Sequence, residues 1–339
     1  MKIDVFNHVL PAGYIEACKR KAEGPLPFDF QIKNFPALVD MDKRFRIMDQ
    51  AGECKQIASM ANPPLEVLFD ARDALELARV ANDELAALVD RHSERFAGAV
   101  ASIPMNDIEG AVREIERAVR ELGMRGIQLY TDVQGRPLDA PEFDPVFAKM
   151  AEVDLPILLH PARGPGFHDY PTEDESKYDI WRVFGWLYDT AAAMTRIIFA
   201  GIFDRYPNIK IVTHHLGGIV PYADRRIEEG YSKMVGLAKA SGKPLPVKKH
   251  PYEYYRLFYG DTITVGSVPA LECGLAFFGV DQVVFATDVP FDVEGGAKYL
   301  REALRVMDAI DIPAEDKQKI YEDNSRRLFK LQKASLVSS

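Results

Sequence analysis

Short apolar runs rich in β-branched residues alternate along the chain with longer segments of helical periodicity. A short apolar run is typical of a buried parallel strand, because helices cover both faces of a parallel sheet. Eight runs predict strands, at 2–9, 54–61, 96–104, 126–132, 156–161, 210–217, 256–264 and 282–290. The intervening segments predict helices, at 45–52, 65–91, 107–122, 142–151, 181–205, 219–234, 268–278 and 296–309.

Alternation of strands and helices predicts an α/β fold with parallel strands, and eight strands are the number that closes a (β/α)8 TIM barrel. An open doubly wound sheet is the alternative, and it usually has a glycine-rich phosphate loop after its first strand. Here the first strand ends in NHVLP (7–11), without such a loop. The sequence therefore favours a single barrel domain over 1–332, followed by a frayed tail at 333–339.

Two insertions interrupt the alternation, one after strand 1 and one after strand 5. Residues 12–44 are rich in Pro, Gly, Lys and Phe, and residues 162–180 contain an RGPG sequence and an acidic run. Long segments that follow barrel strands lie on the catalytic face, where they often form lids. We therefore expect both insertions to border the active site.

Composition narrows the classes of partner and compartment. The 339 residues are 47% hydrophobic and carry a net charge of −9, which argues against nucleic acid as a partner because phosphate binding needs a basic face. No segment approaches the roughly 20 apolar residues of a membrane span, so no membrane partner is expected. The three cysteines, Cys18, Cys54 and Cys273, form no CxxC pair, which favours a reducing, cytoplasmic location.

The candidate chemistry lies where predicted strands end. His8 ends the first strand, His160 the fifth, the pair His214 and His215 the sixth, and Asp288 the eighth. Barrel enzymes keep their reacting groups at these ends. Imidazoles and a carboxylate that converge on one mouth are ligands for Zn²⁺, Fe²⁺ or Mn²⁺, so the sequence predicts a metal or acid–base site there.

Alternation of side chains along a strand decides which of these groups can face the barrel lumen. On the first strand it places Asp4, Phe6 and His8 on one face. On the sixth strand, His214 and His215 lie on opposite faces, so only one of the two faces the lumen unless a bulge intervenes.

Several motifs together carry a family resemblance that covers residues 2–331. The sequence resembles the amidohydrolase superfamily, in the branch that contains α-amino-β-carboxymuconate-ε-semialdehyde decarboxylase and γ-resorcylate decarboxylase. The combination is specific although each motif alone is weak. The motifs are IDVFNHVLP (3–11), MDQAG (48–52), LLHP (158–161), GIFDRYPNIKIVTHHLGGIVPYADRRIE (201–228), YGDT (259–262) and ATDVPF (286–291).

The resemblance implies roles for individual residues. His8, His160 and Asp288 match metal ligands, and Asp288 and His215 match groups that act on the substrate or on a metal-bound water. Arg226 matches an arginine that reaches a substrate carboxylate across a dimer interface. Trp186 and Arg44 match positions on the substrate side.

One position departs from the pattern of the family. The first histidine of the motif His-x-His is replaced by Phe6, which cannot bind a metal and is expected to line the substrate pocket. The remaining two imidazoles and one carboxylate form the ligand type of non-haem Fe²⁺ oxygenases.

These implications lead to one main functional hypothesis and three alternatives. The main one is a metal-dependent, non-oxidative decarboxylase of a small aromatic or unsaturated carboxylic acid, with one divalent ion, zinc before manganese or iron. The alternatives are a metal-dependent hydrolase of an amide, lactone or C–C bond, an Fe- or Mn-dependent oxygenase, and a metal-free ligand-binding homologue. A homodimer or a higher homo-oligomer is expected from the role implied for Arg226.

Overall fold

The computed structural model describes residues 1–332, so the predicted frayed tail at 333–339 lies outside the described residues. Eight parallel strands follow one another around a barrel in the order of the sequence. The barrel closes because Val5 N donates to Phe285 O (3.0 Å) and Asp288 N donates to Phe6 O (2.9 Å). The strands are Lys2–Val9, Cys54–Met60, Phe96–Ala99 continued by Ala101–Ser102, Ile127–Tyr130, Ile157–His160, Ile211–Thr213, Tyr259–Asp261 and Val283–Val284.

The predicted (β/α)8 fold is confirmed, and the strands occupy the predicted runs although most of them are shorter. Helices lie between consecutive strands and within both insertions. They span Ala12–Lys21, Phe28–Asn34, Met41–Asp49, Leu65–Leu68, Ala71–Arg91, Ile108–Arg120, Asp144–Val153, Ile180–Val183, Gly185–Phe199, Ile202–Arg205, Asp224–Ala240, Pro251–Tyr255, Val268–Phe278, Ala297–Ala309, Ala314–Gln318 and Asn324–Leu328.

Several helix bounds differ from the sequence prediction: the helix predicted over 45–52 spans Met41–Asp49, and the one predicted over 181–205 is three helices. Two further differences have local reasons. The helix predicted over 65–91 is two helices, because Phe69 is extended and the Asp70 side chain caps the second one by accepting from Asp73 N. The helix predicted from residue 219 begins only at Asp224, because residues 215–218 form a tight turn with left-handed backbone angles.

The barrel interior is a compact apolar cluster that supports the site from below. Its members are Ile3, Val5, Phe6, Ile57, Val100, Leu158, Val212, Ile263, Val284, Ala286, Leu328 and Phe329. A second, larger cluster fills the space between the strands and the surrounding helices. Filling of the lumen by branched side chains is typical of this fold and leaves only the strand ends for chemistry.

A bulge in the first strand interrupts the alternation of side chains that the sequence predicted there. The pairing with the second strand shifts between Asp4 and Asn7, and the neighbours Val5 and Phe6 both pack into the lumen cluster. Asp4 is not in this cluster. Its carboxylate accepts a hydrogen bond from Gln56, which in turn accepts one from Arg44. The prediction that Asp4 shares a face with Phe6 was therefore wrong, because a bulge changes the side to which later residues point.

Within residues 1–332, no helix is both long enough and apolar enough to cross a membrane. The three cysteines are all unpaired.

Candidate metal centre

Three buried histidines at strand ends present the same ring nitrogen to one another. Nδ1 of His8 lies 3.1 Å from Met60 O, Nδ1 of His160 lies 2.8 Å from Pro161 O, and Nδ1 of His214 lies 2.9 Å from Oδ2 of Asp261. A ring nitrogen that faces an oxygen acceptor donates its proton, which leaves the other nitrogen of a neutral ring with a free lone pair. All three rings therefore turn Nε2 towards the centre of the mouth.

These Nε2 atoms and one carboxylate converge, and Nε2 of His160 also lies 3.4 Å from Nδ2 of Asn62. The ligand atoms of His8, His160 and His214 lie within 4.8 Å of one another. Oδ1 of Asp288 lies 3.3 Å from His8 Nε2 and 3.6 Å from His214 Nε2. The Nε2 atoms of His8 and His214 are buried without a hydrogen-bond partner. Buried lone pairs without a partner fit a metal ion, because metal binding would compensate them.

The position of Asp288 depends on the closure of the barrel. Its backbone has a φ of 62°, a left-handed conformation that aspartate tolerates better than most residues. The preceding residue, Thr287, donates from N (3.1 Å) and Oγ1 (2.7 Å) to the Asp4 carboxylate. Strand 1 thereby holds the end of strand 8, and the Asp288 carboxylate is aimed at His8.

Burial and mutual charge shift the pKa values of three groups in the cluster. Burial lowers the pKa of His214, but the neighbouring carboxylates of Asp261 and Asp288 outweigh it and raise the pKa to about 9. Burial raises the pKa of Asp288, but His214 and His8 bring it well below its ordinary value. Burial, together with the charge of His214, holds the pKa of His160 well below its usual range. Near pH 7 Asp288 is therefore an anion, His160 is neutral and His214 is protonated, so a metal ion would have to displace the proton on Nε2 of His214.

His215 reaches the same mouth by an unusual turn. Strand 6 ends at Thr213, and His215 and Leu216 have φ values of 52° and 54°. Gly218 makes the turn possible, because a Cβ there would lie 2.2 Å from Leu187 O. His214 and His215 therefore both reach the site, and each belongs to a possible ligand group with Asp288. Burial lowers the pKa of His215 to about 3, and its Nδ1 is buried without a partner.

Aromatic rings form the walls around the cluster. Trp186 stacks on His215 at 5.8 Å and meets His160 edge-on at 5.9 Å, and its indole N–H donates to Arg163 O. Phe291 lies 5.3 Å from His8, and Tyr130 lies 5.5 Å from His160. These rings come from different segments that follow or end barrel strands, and they give the mouth flat, apolar sides.

The chain matches the family model described as "Amidohydrolase" over residues 3–331. It belongs to the amidohydrolase family. The resemblance inferred from the motifs is confirmed, and among the curated relatives the γ-resorcylate decarboxylase of Polaromonas sp. strain JS666 is 31% identical over 298 residues, covering 86% of this chain and 87% of the relative.

Two further relatives support the same branch for this amidohydrolase. The 2-amino-3-carboxymuconate-6-semialdehyde decarboxylase of Dictyostelium discoideum is 29% identical over 306 residues, covering 86% of this chain and 82% of the relative. The structure of the 5-carboxyvanillate decarboxylase of Novosphingobium aromaticivorans, with bound manganese and 3-methoxy-4-hydroxy-5-nitrobenzoic acid, superimposes with a TM-score of 0.82. It is 29% identical, and the alignment covers 98% of this chain and 97% of that one.

Arg44 is buried beside strands 1 and 2 of the barrel, whereas the sequence predicted that it contacts the substrate. Its side chain is fully buried and donates to Gln56 Oε1 (2.7 Å), His8 O (2.7 Å) and Asn7 Oδ1 (2.5 Å). Every one of these acceptors belongs to strand 1 or strand 2. Arg44 therefore ties these strands together, and its guanidinium is buried and bonded to protein acceptors.

Arg226 is exposed on helix Asp224–Ala240, a helix without a buried residue. Tyr222, one turn before it, is 89% exposed. Arg226 is therefore exposed rather than buried with the cluster, and the role implied for it across a subunit interface stays a prediction.

Two residues of the amidohydrolase site were missed or left open by the sequence analysis. His214 is fully buried at the cluster, although His215 was chosen there as the reacting histidine. Asp261 was not assigned a role, although it lies in the motif YGDT at the end of strand 7. The signal was present in the sequence, since a carboxylate at a strand end is a candidate on the same grounds as Asp288.

Proposed function

We propose that the chain is a metal-dependent, non-oxidative decarboxylase of a small aromatic carboxylic acid. The observation that carries this proposal is the convergence of buried, unpartnered imidazole nitrogens on the Asp288 carboxylate at the barrel mouth. The names of the relatives support the reaction class, and the flat aromatic walls of the mouth suit a ring-shaped substrate.

His8, His160 and Asp288 would hold one divalent ion. When bound, the ion supplies positive charge that stabilises a substrate oxygen and the negative charge that develops as the C–C bond breaks. Imidazole and carboxylate ligands accept both zinc and manganese. Zinc was expected from the sequence, and the manganese in the related carboxyvanillate decarboxylase makes manganese the first ion to test.

The residues of the chain would position the substrate and move one proton. Trp186 and Phe291 hold the ring and exclude water. The Asp288 carboxylate takes up a proton at Oδ, from a substrate hydroxyl or from water, and delivers it to the ring carbon. The electron pair of the C–C bond becomes the new C–H bond, and the carboxylate leaves as CO₂. His215, neutral because burial lowers its pKa, orients the substrate by a hydrogen bond.

A second chain would complete the site. The exposed Arg226 suits a bidentate contact to a substrate carboxylate in a neighbouring subunit, which makes a homodimer or a higher homo-oligomer part of this proposal. A cytoplasmic location is proposed with it.

The decisive experiment is CO₂ release from a panel of aromatic acids by protein loaded with manganese or zinc. The panel includes 2,6-dihydroxybenzoate and 5-carboxyvanillate, the acids after which two structurally related decarboxylases are named. We expect one equivalent of CO₂ per decarboxylated product, and none with the His160→Ala variant. Turnover of an amide or lactone without CO₂ would replace this proposal by a hydrolase, and consumption of O₂ would replace it by an oxygenase. Binding of these acids without any turnover would favour a binding protein.

A further inference from the structure

We propose that His214 is a metal ligand and fills the coordination position that Phe6 leaves empty. The inference rests on the metal dependence proposed above and adds a fourth protein ligand to His8, His160 and Asp288. The chain would then bind its ion with three imidazoles and one carboxylate, the same number and type of ligands that a complete His-x-His motif would provide.

The first argument is the position of His214 relative to residue 6. The rings of Phe6 and His214 are stacked, with centroids 4.1 Å apart and an angle of 28° between their planes. The rings of His8 and His160 lie farther from Phe6, both at 5.9 Å. Of these three imidazoles, His214 is thus the one that lies against the side chain at position 6.

The second argument is the orientation of His214. Its Nδ1 lies 2.9 Å from Oδ2 of Asp261, which is itself fully buried. The backbone N–H groups of His215 (3.2 Å), Leu216 (2.8 Å) and Ile263 (3.0 Å) donate to the same carboxylate and hold it in place. Metal-binding histidines commonly donate their other N–H to a carboxylate, which fixes the ring and increases its basicity.

The third argument is the direction of the free nitrogen. With Nδ1 committed to Asp261, Nε2 of His214 is buried without a partner and lies 3.6 Å from Oδ1 of Asp288. Donors that share one ion are separated by roughly 3–4 Å, since each lies about 2.0–2.1 Å from the metal. The spacing between His214 and Asp288 therefore suits two ligands of one ion.

The neighbouring His215 is a weaker candidate for the same position. Its Nδ1 is buried without a partner, so no acceptor fixes its tautomer, and its ring is stacked on Trp186. We therefore assign His214 to the ion and leave His215 to the substrate.

Metal binding itself tests the inference, independently of activity. Chelator-treated protein is titrated with Co²⁺ while its visible absorption is recorded, and Mn²⁺ or Zn²⁺ bound at equilibrium is measured by plasma mass spectrometry. We expect His214→Ala to weaken Co²⁺ binding by more than about 100-fold and to change the spectrum, because loss of an outer partner alone costs about 10–100-fold. Asp261→Asn, which removes only the orienting carboxylate, should weaken binding by about 10–100-fold. His168→Ala, which removes an exposed histidine of the second insertion, is the matched control and should bind as the wild type does.

A second-site variant separates a lost ligand from a damaged fold. Adding Phe6→His to His214→Ala returns an imidazole to the position of the family pattern. We expect the double variant to bind Co²⁺ at least about tenfold more tightly than His214→Ala does. Circular dichroism of each variant accompanies the titrations. Wild-type Co²⁺ affinity and spectrum in His214→Ala would overturn the inference alone. A wild-type protein that takes up no metal would overturn the inference together with the proposed function.

Discussion

Nε2 of His8 lies 3.3 Å from Oδ1 of Asp288, so the first and last strands of the barrel meet at the centre of the site. The contact joins opposite ends of the barrel sequence, and it forms only when the barrel closes. The hydrogen bonds from Thr287 to Asp4 strengthen the same junction. The integrity of the metal centre is therefore coupled to the closure of the fold.

Replacing Asp288 tests this junction as a metal site. We expect Asp288→Asn to abolish CO₂ release and to weaken metal binding by more than about 100-fold, because loss of an outer partner alone costs about 10–100-fold. Bound metal per chain and CO₂ release are measured on the same preparation. Asp281→Asn, an exposed aspartate just before strand 8, is the control and should keep both properties. A fully metallated Asp288→Asn protein would remove Asp288 from the ligand set.

Replacing Arg44 distinguishes a structural arginine from a substrate contact. Arg44→Met leaves Gln56 Oε1, His8 O and Asn7 Oδ1 without their donor in a buried environment. Each buried acceptor left without a donor costs about 1–3 kcal/mol, so we expect the free energy of unfolding to fall by at least about 3 kcal/mol. Urea unfolding measures this loss, and KM of the remaining folded enzyme should not change. Unchanged stability with a raised KM would instead restore the substrate role predicted from the sequence.

The sequence predicted the barrel because its strands are short apolar runs whose spacing repeats, and it predicted His8, His160 and Asp288 because strand ends converge in this fold. It did not predict the bulge after Asp4, because a shift in pairing depends on the partner strand. The sequence alone could not decide between His214 and His215. The turn after Thr213 that brings both to the site depends on the close approach of Gly218 to Leu187 O, which is a tertiary contact.

The misplacement of Arg44 has a related cause. A charged residue in a helix before strand 2 is usually exposed, and only the tertiary structure shows the acceptors that make its burial possible. Motif matching assigned it a substrate role, whereas its surroundings are set by Asn7, His8 and Gln56 rather than by a ligand.

Subunit mixing tests the proposed role of Arg226. If each site combines His160 of one chain with Arg226 of another, Arg226→Ala and His160→Ala should each be inactive alone. In a mixed dimer one site has both changes and the other has neither, so random mixing should restore about a quarter of wild-type activity. CO₂ release after co-expression of differently tagged chains measures this. Arg225 is an exposed neighbour of Arg226 on the same helix, so Arg225→Ala is the matched control and should be active without mixing. No recovery on mixing would place Arg226 outside the site of the partner.

Glu66 links the pH dependence of stability to one buried carboxyl group. Burial raises the pKa of Glu66 from 4.5 to about 7, and its Oε2 has no hydrogen-bond partner. The folded protein therefore holds this proton more tightly than the unfolded chain does, so stability is lost as pH rises from 4.5 to about 7 and is constant above it. A shift of this size corresponds to about 3 kcal/mol. Glu66→Gln removes the charged form, and its free energy of unfolding should exceed that of the wild type by an amount that grows over this interval.

Urea unfolding at about pH 5, 6, 7 and 8 measures that difference, because contributions common to both proteins cancel. Glu315→Gln, at an exposed position, is the control and should follow the wild-type curve at every pH. The side-chain amide introduced by Glu66→Gln keeps the volume of the carboxyl group, so a difference that depends on pH must come from ionisation. Parallel curves for the wild type and Glu66→Gln would show that the carboxyl group ionises as easily in the folded protein as in the unfolded chain, and burial would then not govern its proton.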